Sequence, residues 1–312
     1  MTAAGRPTTA AITFAIPYYD NLEYLREAIA SVVAQTRGDW NVVVVDDAGP
    51  APADAVIAAF GDHRITLHRN DHNLGLAGNW NECLRLATAP WVTLLHADDQ
   101  LHPEYAAEVL AATERDPDLA AVFCDAAVID ATGAPARSLP ESVKRLARRP
   151  KTNHDVCGDD DLAAILSNNY VMCPTICYRT SIAVEHPFAD RWKMVMDLDH
   201  TAELLLTGQR LHAVRRPLYL YRRHSANQTS SLTASAVRFE EEIALYRELA
   251  DQAAARGWRR TERAARRRTM VRVHLVFQIG ADLVGRNRSA ARRKLRLLTS
   301  DLGIGIGRSR PQ

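Results

Sequence analysis

The chain has 312 residues, 47% of them hydrophobic and 24% charged, a composition that excludes a disordered, collagen-like or coiled-coil protein. The length admits one extended α/β domain with an appendage, or two smaller domains. The formal charge of +2 hides a split, because residues 256 onward carry about 16 basic against about 3 acidic side chains and leave the preceding part acidic.

Elements follow in order. Short β-rich runs at residues 12–16, 42–45, 65–68, 91–95 and 121–124 alternate with helical patterns at 22–34, 53–60, 76–87 and 105–115, the signature of βαβ units around a mainly parallel sheet. The runs at 42–45 and 91–95 are almost continuously apolar, as strands covered on both faces are. Residues 128–161 lack periodicity and read as a long loop. A helix at 162–168, a strand-like run at 171–178, a helix at 198–206 and a run at 211–221 divided by Pro217 come next. From about 234 to 300 the pattern is helical, with breaks at Gly257 and at 285–288.

Five cysteines scattered among apolar segments fit reduced thiols and a cytoplasmic protein. Cys173 and Cys177 lack His or Cys partners at zinc spacing. The N-terminal MTAAGRPTTA has no apolar leader segment, and the apolar stretch 270–284 is interrupted by Arg272, His274 and Asp282, so neither a signal peptide nor a transmembrane helix is expected.

In such a sheet the ligand site lies beyond the carboxyl ends of the strands. Those positions hold Pro17-Tyr18-Tyr19-Asp20, Asp46-Asp47, Arg69-Asn70 and His96-Ala97-Asp98-Asp99. Two acidic pairs on one rim repel each other, and a hard divalent cation, Mn²⁺ or Mg²⁺, relieves that repulsion while bridging phosphates. The competing reading makes these acids caps for the helices that follow. Asn73, Asn79 and Asn81 around Gly75 suit either caps or ligand contacts. Met196-Asp197-Leu198-Asp199-His200 opens a helix, where Asp197 suits a cap or a general base. After the last strand, Tyr221-Arg222-Arg223-His224 offers a phosphate clamp in Arg222 and a metal or phosphate ligand in His224.

Taken in order, these pieces resemble the inverting family 2 glycosyltransferases of GT-A fold, over roughly residues 11–230. "ITFAIPYYDNLEYLREAIASVVAQTRGDWNVVVVDDAGP" is similar to their opening strand, Pro-x-Tyr-Asn turn, Ser-x-x-x-Gln-Thr helix and Val-Asp-Asp strand end. "NDHNLGLAGNWNECLRLATAPWVTLLHADDQLHPEY" is similar to their Asn-x-Gly helix and Asp-x-Asp strand. The resemblance implies a catalytic domain over 1–232 and a basic helical extension over 233–312. It implies a nucleoside pocket lined by Pro17, Tyr18 and Asp47, with Asp20 and Arg69 beside it and Asp46 supporting the turn. Asp98 matches the metal-binding Asp of Asp-x-Asp, with Asp99 adjacent; Asp197 matches the general base, and His224 the histidine near the diphosphate and metal. His96, Asp199 and Arg222 are further candidates. His96 stands in place of the first Asp of Asp-x-Asp, Met196 in place of the Glu before the base, and Asp20 in place of the Asn after the tyrosines.

The implied reaction moves a sugar from a nucleoside-diphosphate sugar, commonly a UDP-sugar, to an unidentified acceptor by metal-assisted single displacement. A Rossmann oxidoreductase is disfavoured because no Gly-x-Gly-x-x-Gly follows the first strand, and a sugar nucleotidyltransferase because no Gly-rich basic loop does. A non-catalytic nucleotide-sugar-binding or scaffold protein is the remaining alternative. The basic tail reads either as the solvated face of a packed extension meeting the acidic domain or a second subunit, or as a peripheral contact with the inner face of a membrane. Nucleic acid is not an expected partner, since aromatic interleaving is absent.

Overall fold

The structure is a computed structural model and describes residues 10–136, 150–168, 170–223 and 235–304. It divides into two compact units, the first formed by residues 1–158, 170–191 and 196–224, the second by 159–169, 192–195 and 225–312. The expected boundary after residue 232 falls outside the described residues, and the second unit also takes two segments from the middle of the chain.

The first unit begins with β1 (Ile12–Tyr18), α1 (Leu22–Val33), β2 (Trp40–Asp46), α2 (Asp54–Phe60), β3 (Ile65–Arg69), α3 (Gly75–Leu86) and β4 (Trp91–Leu94). These four strands are parallel in the order β3-β2-β1-β4. Helices on both sides explain why Val42 to Val45 and Val92 to Leu95 are all buried. On α1, Leu25, Ile29 and Val32 recur at helical spacing and pack on Ile12, Phe14 and Ile16 of β1, each contributing about 1.5–3 kcal/mol by leaving water.

The sheet then departs from the expected pattern. After β5 (Gln100–Leu101), α4 (Tyr105–Arg115), β6 (Ala121–Ile129) and β7 (His154–Val156), the next strand, β8 (Ile176–Arg179), inserts antiparallel between β4 and β6. Among the described residues the sheet has nine strands, parallel in its first half and mixed overall. The expected loop at 128–161 is shorter at both ends: β6 runs to Ile129, and β7 and α5 (Gly158–Asn168) begin inside it. The strand-like run at 171–178 resolves into a single 3₁₀ turn, Cys173–Thr175, followed by β8, because Pro174 cannot donate to a ladder. Pro217 does not divide β9 (Leu211–Arg222); it sits opposite Asp125, where the β6–β9 register shifts, so the ladder absorbs it. Short α6 (Thr180–Glu185) and α7 (Met196–Leu206) complete this unit. Cys83, Cys124, Cys173 and Cys177 are buried free thiols and Cys157 an exposed one.

The second unit packs residues 159–168 of α5 with α8 (Val237–Ala255), α9 (Arg259–Arg267), α10 (Thr269–Val284) and α11 (Arg288–Asp301). Asp159 accepts from the backbone N–H groups of Arg260 and Thr261 at 3.0 and 2.7 Å, supplying the orphan donors of α9 with an anionic acceptor. The Tyr246 hydroxyl donates to the Leu166 carbonyl at 2.7 Å. Breaks follow positive-φ residues, Gly257 and Arg268, the latter unforeseen because a non-glycine residue rarely adopts that conformation.

Candidate active site

The register aligns Tyr18 with Asp46 and Asp46 with Arg69, while Ala15 lies opposite Leu94. The residues that follow β1 to β4 therefore share one rim, as the topology requires. A separate cleft of about 910 Å³, bordered by Trp40, Asn41 and Arg64, opens at the amino ends of β1 to β3 and is away from these carboxylates.

Asp46 and Asp47 serve the fold. Asp46 is fully buried; it accepts from the Gly49 N–H at 2.9 Å and pairs with Arg69, whose other terminal nitrogen donates to the Gly49 carbonyl at 2.9 Å. Asp46 thus supports the turn after β2, as expected, and Arg69 is its partner. Asp47 accepts from Asn70 at 2.9 Å, from Leu74 N–H at 2.8 Å and from Gly75 N–H at 3.1 Å. It holds the amino end of α3, where unpaired N–H groups attract an anion, so the capping role falls to Asp47. Asn73 adds a bond to Gly75 N–H at 2.8 Å, and Asn79 bridges Asn70 and the Val45 carbonyl. Tyr18 is buried with its hydroxyl donating to the Ala51 carbonyl at 2.8 Å. Burial first, then the charges of Asp20 and Asp46, push that phenol up to about 12. Pro17 is half-buried and Asp20 exposed, with the Asp20 carboxylate accepting the Asn21 N–H at 2.7 Å.

The rim after β4 is different. Nitrogen and oxygen ligand atoms of His96, Asp98 and Asp99 lie within 4.8 Å of one another, a spacing that suits a metal ion. Asp99 is fully buried, accepting from the Tyr219 hydroxyl at 2.8 Å and the Arg222 N–H at 2.7 Å. Burial, and then the charge of Asp98, raise its pKa well above the usual carboxylate range. Arg222 is fully buried: it donates to the carbonyls of Asp98 at 2.7 Å and Ala131 at 3.0 Å, pairs with Glu27, and lies over the Tyr24 ring. It secures the turn beneath Asp98. Asp98 is only half-buried, which leaves it the acid of this rim nearest to solvent.

His96 puts an imidazole where an aspartate would repel Asp98. Its Nε2 is buried without a hydrogen-bond partner among the described residues, and burial lowers its pKa, with Asp98 pulling upward. A neutral imidazole with a free lone pair is a metal donor. The ring leans on Trp80 at 5.2 Å, Trp80 meets Phe188 edge-on at 5.0 Å, and Phe188 meets His200 at 4.3 Å. Asn81 fixes Phe188 by bonding both its backbone N–H and carbonyl at 2.8 and 2.9 Å. This aromatic chain joins the rim of β4 to α7, which carries Asp197 in its first turn. Asp197 is half-buried, and its charge adds to burial in raising the Cys173 and Tyr178 pKa values. Asp199 faces Arg191 at 3.7 Å. His224 lies outside the described residues.

Sequence reasoning passed over Trp80, Phe188, Glu27 and Tyr219. Their apolar or helical spacing reads as core, and only the tertiary contacts reveal that they carry site residues.

A family profile described as glycosyl transferase family 2 matches residues 13–168, half of the chain. The chain belongs to glycosyl transferase family 2. Among curated proteins of this kind, it is 33% identical over 93 residues to the succinoglycan biosynthesis protein ExoO of Rhizobium meliloti, covering 30% of this chain and 27% of that protein. It is 30% identical over 88 residues to WfgD of Escherichia coli, named as a UDP-Glc:alpha-D-GlcNAc-diphosphoundecaprenol beta-1,3-glucosyltransferase, covering 28% of this chain and 35% of that protein. These alignments thus span about a third or less of the curated relatives' lengths. Among solved structures, TarS 1–349 of S. aureus in complex with UDP-GlcNAc superposes with a TM-score of 0.61 at 18% identity, covering 76% of this chain and 66% of that one. TarS 1–349 in another crystal structure covers 95% of this chain and 93% of that one, with a TM-score of 0.58 at 15% identity. The shared architecture is the GT-A fold of this family.

Proposed function

We propose that this family 2 protein transfers a sugar from a nucleoside-diphosphate sugar, a UDP-sugar in the first instance, to an acceptor hydroxyl or amine, with inversion at the anomeric carbon. One observation carries the reading: the rim at His96, Asp98 and Asp99 is linked through Trp80 and Phe188 to the helix that presents Asp197. A diphosphate-binding corner and a carboxylate base are what a single displacement needs. The names of WfgD and of the TarS complex favour UDP as the carrier.

In the proposed mechanism, Pro17 and Tyr18 border the nucleoside, and the turn held by Asp46 and Arg69 closes that side. The donor set of Asp98 and His96 fits a divalent cation, and such an ion would offset charge on the diphosphate. Because His96 supplies nitrogen where Mg²⁺ prefers oxygen, this set favours Mn²⁺ over Mg²⁺. Asp197 takes the acceptor proton while the acceptor oxygen or nitrogen forms a bond to the anomeric carbon. On the opposite face the bond to the diphosphate oxygen breaks, and the nucleoside diphosphate departs with the electron pair. Residues 1–232 constitute the catalytic domain in this reading, and 233–312 its extension.

Asp197→Asn tests the assignment. Nucleotide binding, read as a Mn²⁺-dependent rise in melting temperature with UDP, should persist, while transfer falls by about a thousandfold or more. Unchanged transfer removes Asp197 from the mechanism, and a product that keeps the donor's anomeric configuration by NMR rules out single displacement.

A further inference from the structure

Helix α10 is apolar on two sides. Val271 and Leu275 face inward, at 4% and 0% exposure, whereas Met270, Val273, Val276, Phe277, Leu283 and Val284 are 41–87% exposed. At 100° per residue these six, with Gly280 and Ala281, fill one unbroken arc roughly 160° wide without a charged residue. Solvent-facing apolar surface of this extent marks an interaction site.

The surroundings are basic. Exposed Arg266 and Arg267 precede the stripe and exposed Arg286 and Arg288 follow it; Arg292 and Arg296 continue the series on α11 at four-residue spacing. The three acids of α9 to α11 are spent internally: Glu262 on Arg266, Asp282 on buried Lys294, and Asp301 on Arg268 and Arg272. Among the described residues no ion pair engages Arg263, Arg267, Arg286, Arg288, Arg292 or Arg296.

We propose that this face of α10 docks on the surface of an anionic lipid bilayer, the apolar stripe entering the acyl boundary and the flanking arginines meeting lipid phosphates. Charge complementarity selects this occupant. In a symmetric pair of copies each basic flank would meet its like, and a polyanion such as nucleic acid would leave Phe277 and Val284 in water. An anionic membrane satisfies both the hydrocarbon and the guanidinium groups. Among the described residues no helix is long and apolar enough to cross a membrane, so the helix lies in the interface plane.

The test is co-sedimentation of the full chain with phosphatidylcholine vesicles, with and without phosphatidylglycerol. Binding to the mixed vesicles should fall about tenfold when phosphatidylglycerol is omitted, about tenfold in Phe277→Asp with Val284→Asp, and about fivefold or more in Arg288→Gln with Arg292→Gln. Both apolar positions face solvent, so circular dichroism should show unchanged melting. Wild-type chain that stays in solution with the anionic vesicles at low salt overturns the proposal. So does vesicle binding that Phe277→Asp with Val284→Asp leaves intact, and so does a concentration-dependent dimer, dissolved by those changes, in place of vesicle binding. Partition is read without any transfer reaction, so the outcome is independent of the catalytic assignment.

Discussion

Asp46-Asp47 and Asp98-Asp99 are alike in sequence, each an acidic pair closing an apolar strand, yet their tertiary roles diverge. In the first pair both carboxylates are buried and bonded to Gly49, Arg69, Asn70 and the amino end of α3. In the second pair the burial differs: Asp99 is buried against Tyr219 and Arg222 and Asp98 is half-buried, and ligand atoms of both lie within 4.8 Å of His96. An acidic pair after a strand is thus as much a means of building the rim as of using it. In the second pair the bonds to Tyr219 and the Arg222 N–H fall to Asp99.

The largest predicted contrast lies inside the second pair. Asp98→Ala should reduce transfer by about a thousandfold, about 4 kcal/mol in the transition state, with a smaller loss of stability than Asp99→Ala. Asp99→Ala should instead lower stability by about 3–5 kcal/mol, because it strips the partner from a buried Tyr219 hydroxyl and the Arg222 backbone. Paired denaturation and activity measurements decide this, and equal stability losses in the two variants would erase the distinction. Next in size, Asp47→Ala should destabilise by about 2–3 kcal/mol through loss of the α3 cap and the Asn70 bond. A drop in nucleotide affinity that tracks the loss of fold in urea titrations would make Asp47 a cap alone; loss of affinity at full stability would place it in direct nucleotide contact. Smallest, His96→Asp should shift metal preference from Mn²⁺ toward Mg²⁺ by about tenfold in half-activating concentration, a shift that an imidazole outside the metal site would not produce.

The second unit extends the same lesson. The charge excess beyond residue 256 was legible at once, but the exposed stripe on α10 was not, since Met270 to Val284 reads simply as an apolar helix. Which of its two apolar sides is covered depends on the packing of Val271 and Leu275.

The sequence by itself determined the alternation of strands and helices in the first half, the rim residues and the family, because local periodicity and strand-end motifs are written within a few residues of one another. Tertiary structure alone decided the antiparallel insertion of β8, the absorption of Pro217 into β9, and the burial of Arg222 against Glu27 and the carbonyls of Asp98 and Ala131. It also decided that both Asp98 and Asp99 come within reach of His96, with Asp99 buried and Asp98 half-buried. These outcomes rest on partners distant in the chain, such as Glu27 with Arg222 and Asp99 with Tyr219. Spacing along one strand cannot show how a buried polar group's bonds are satisfied, and burial makes that satisfaction obligatory.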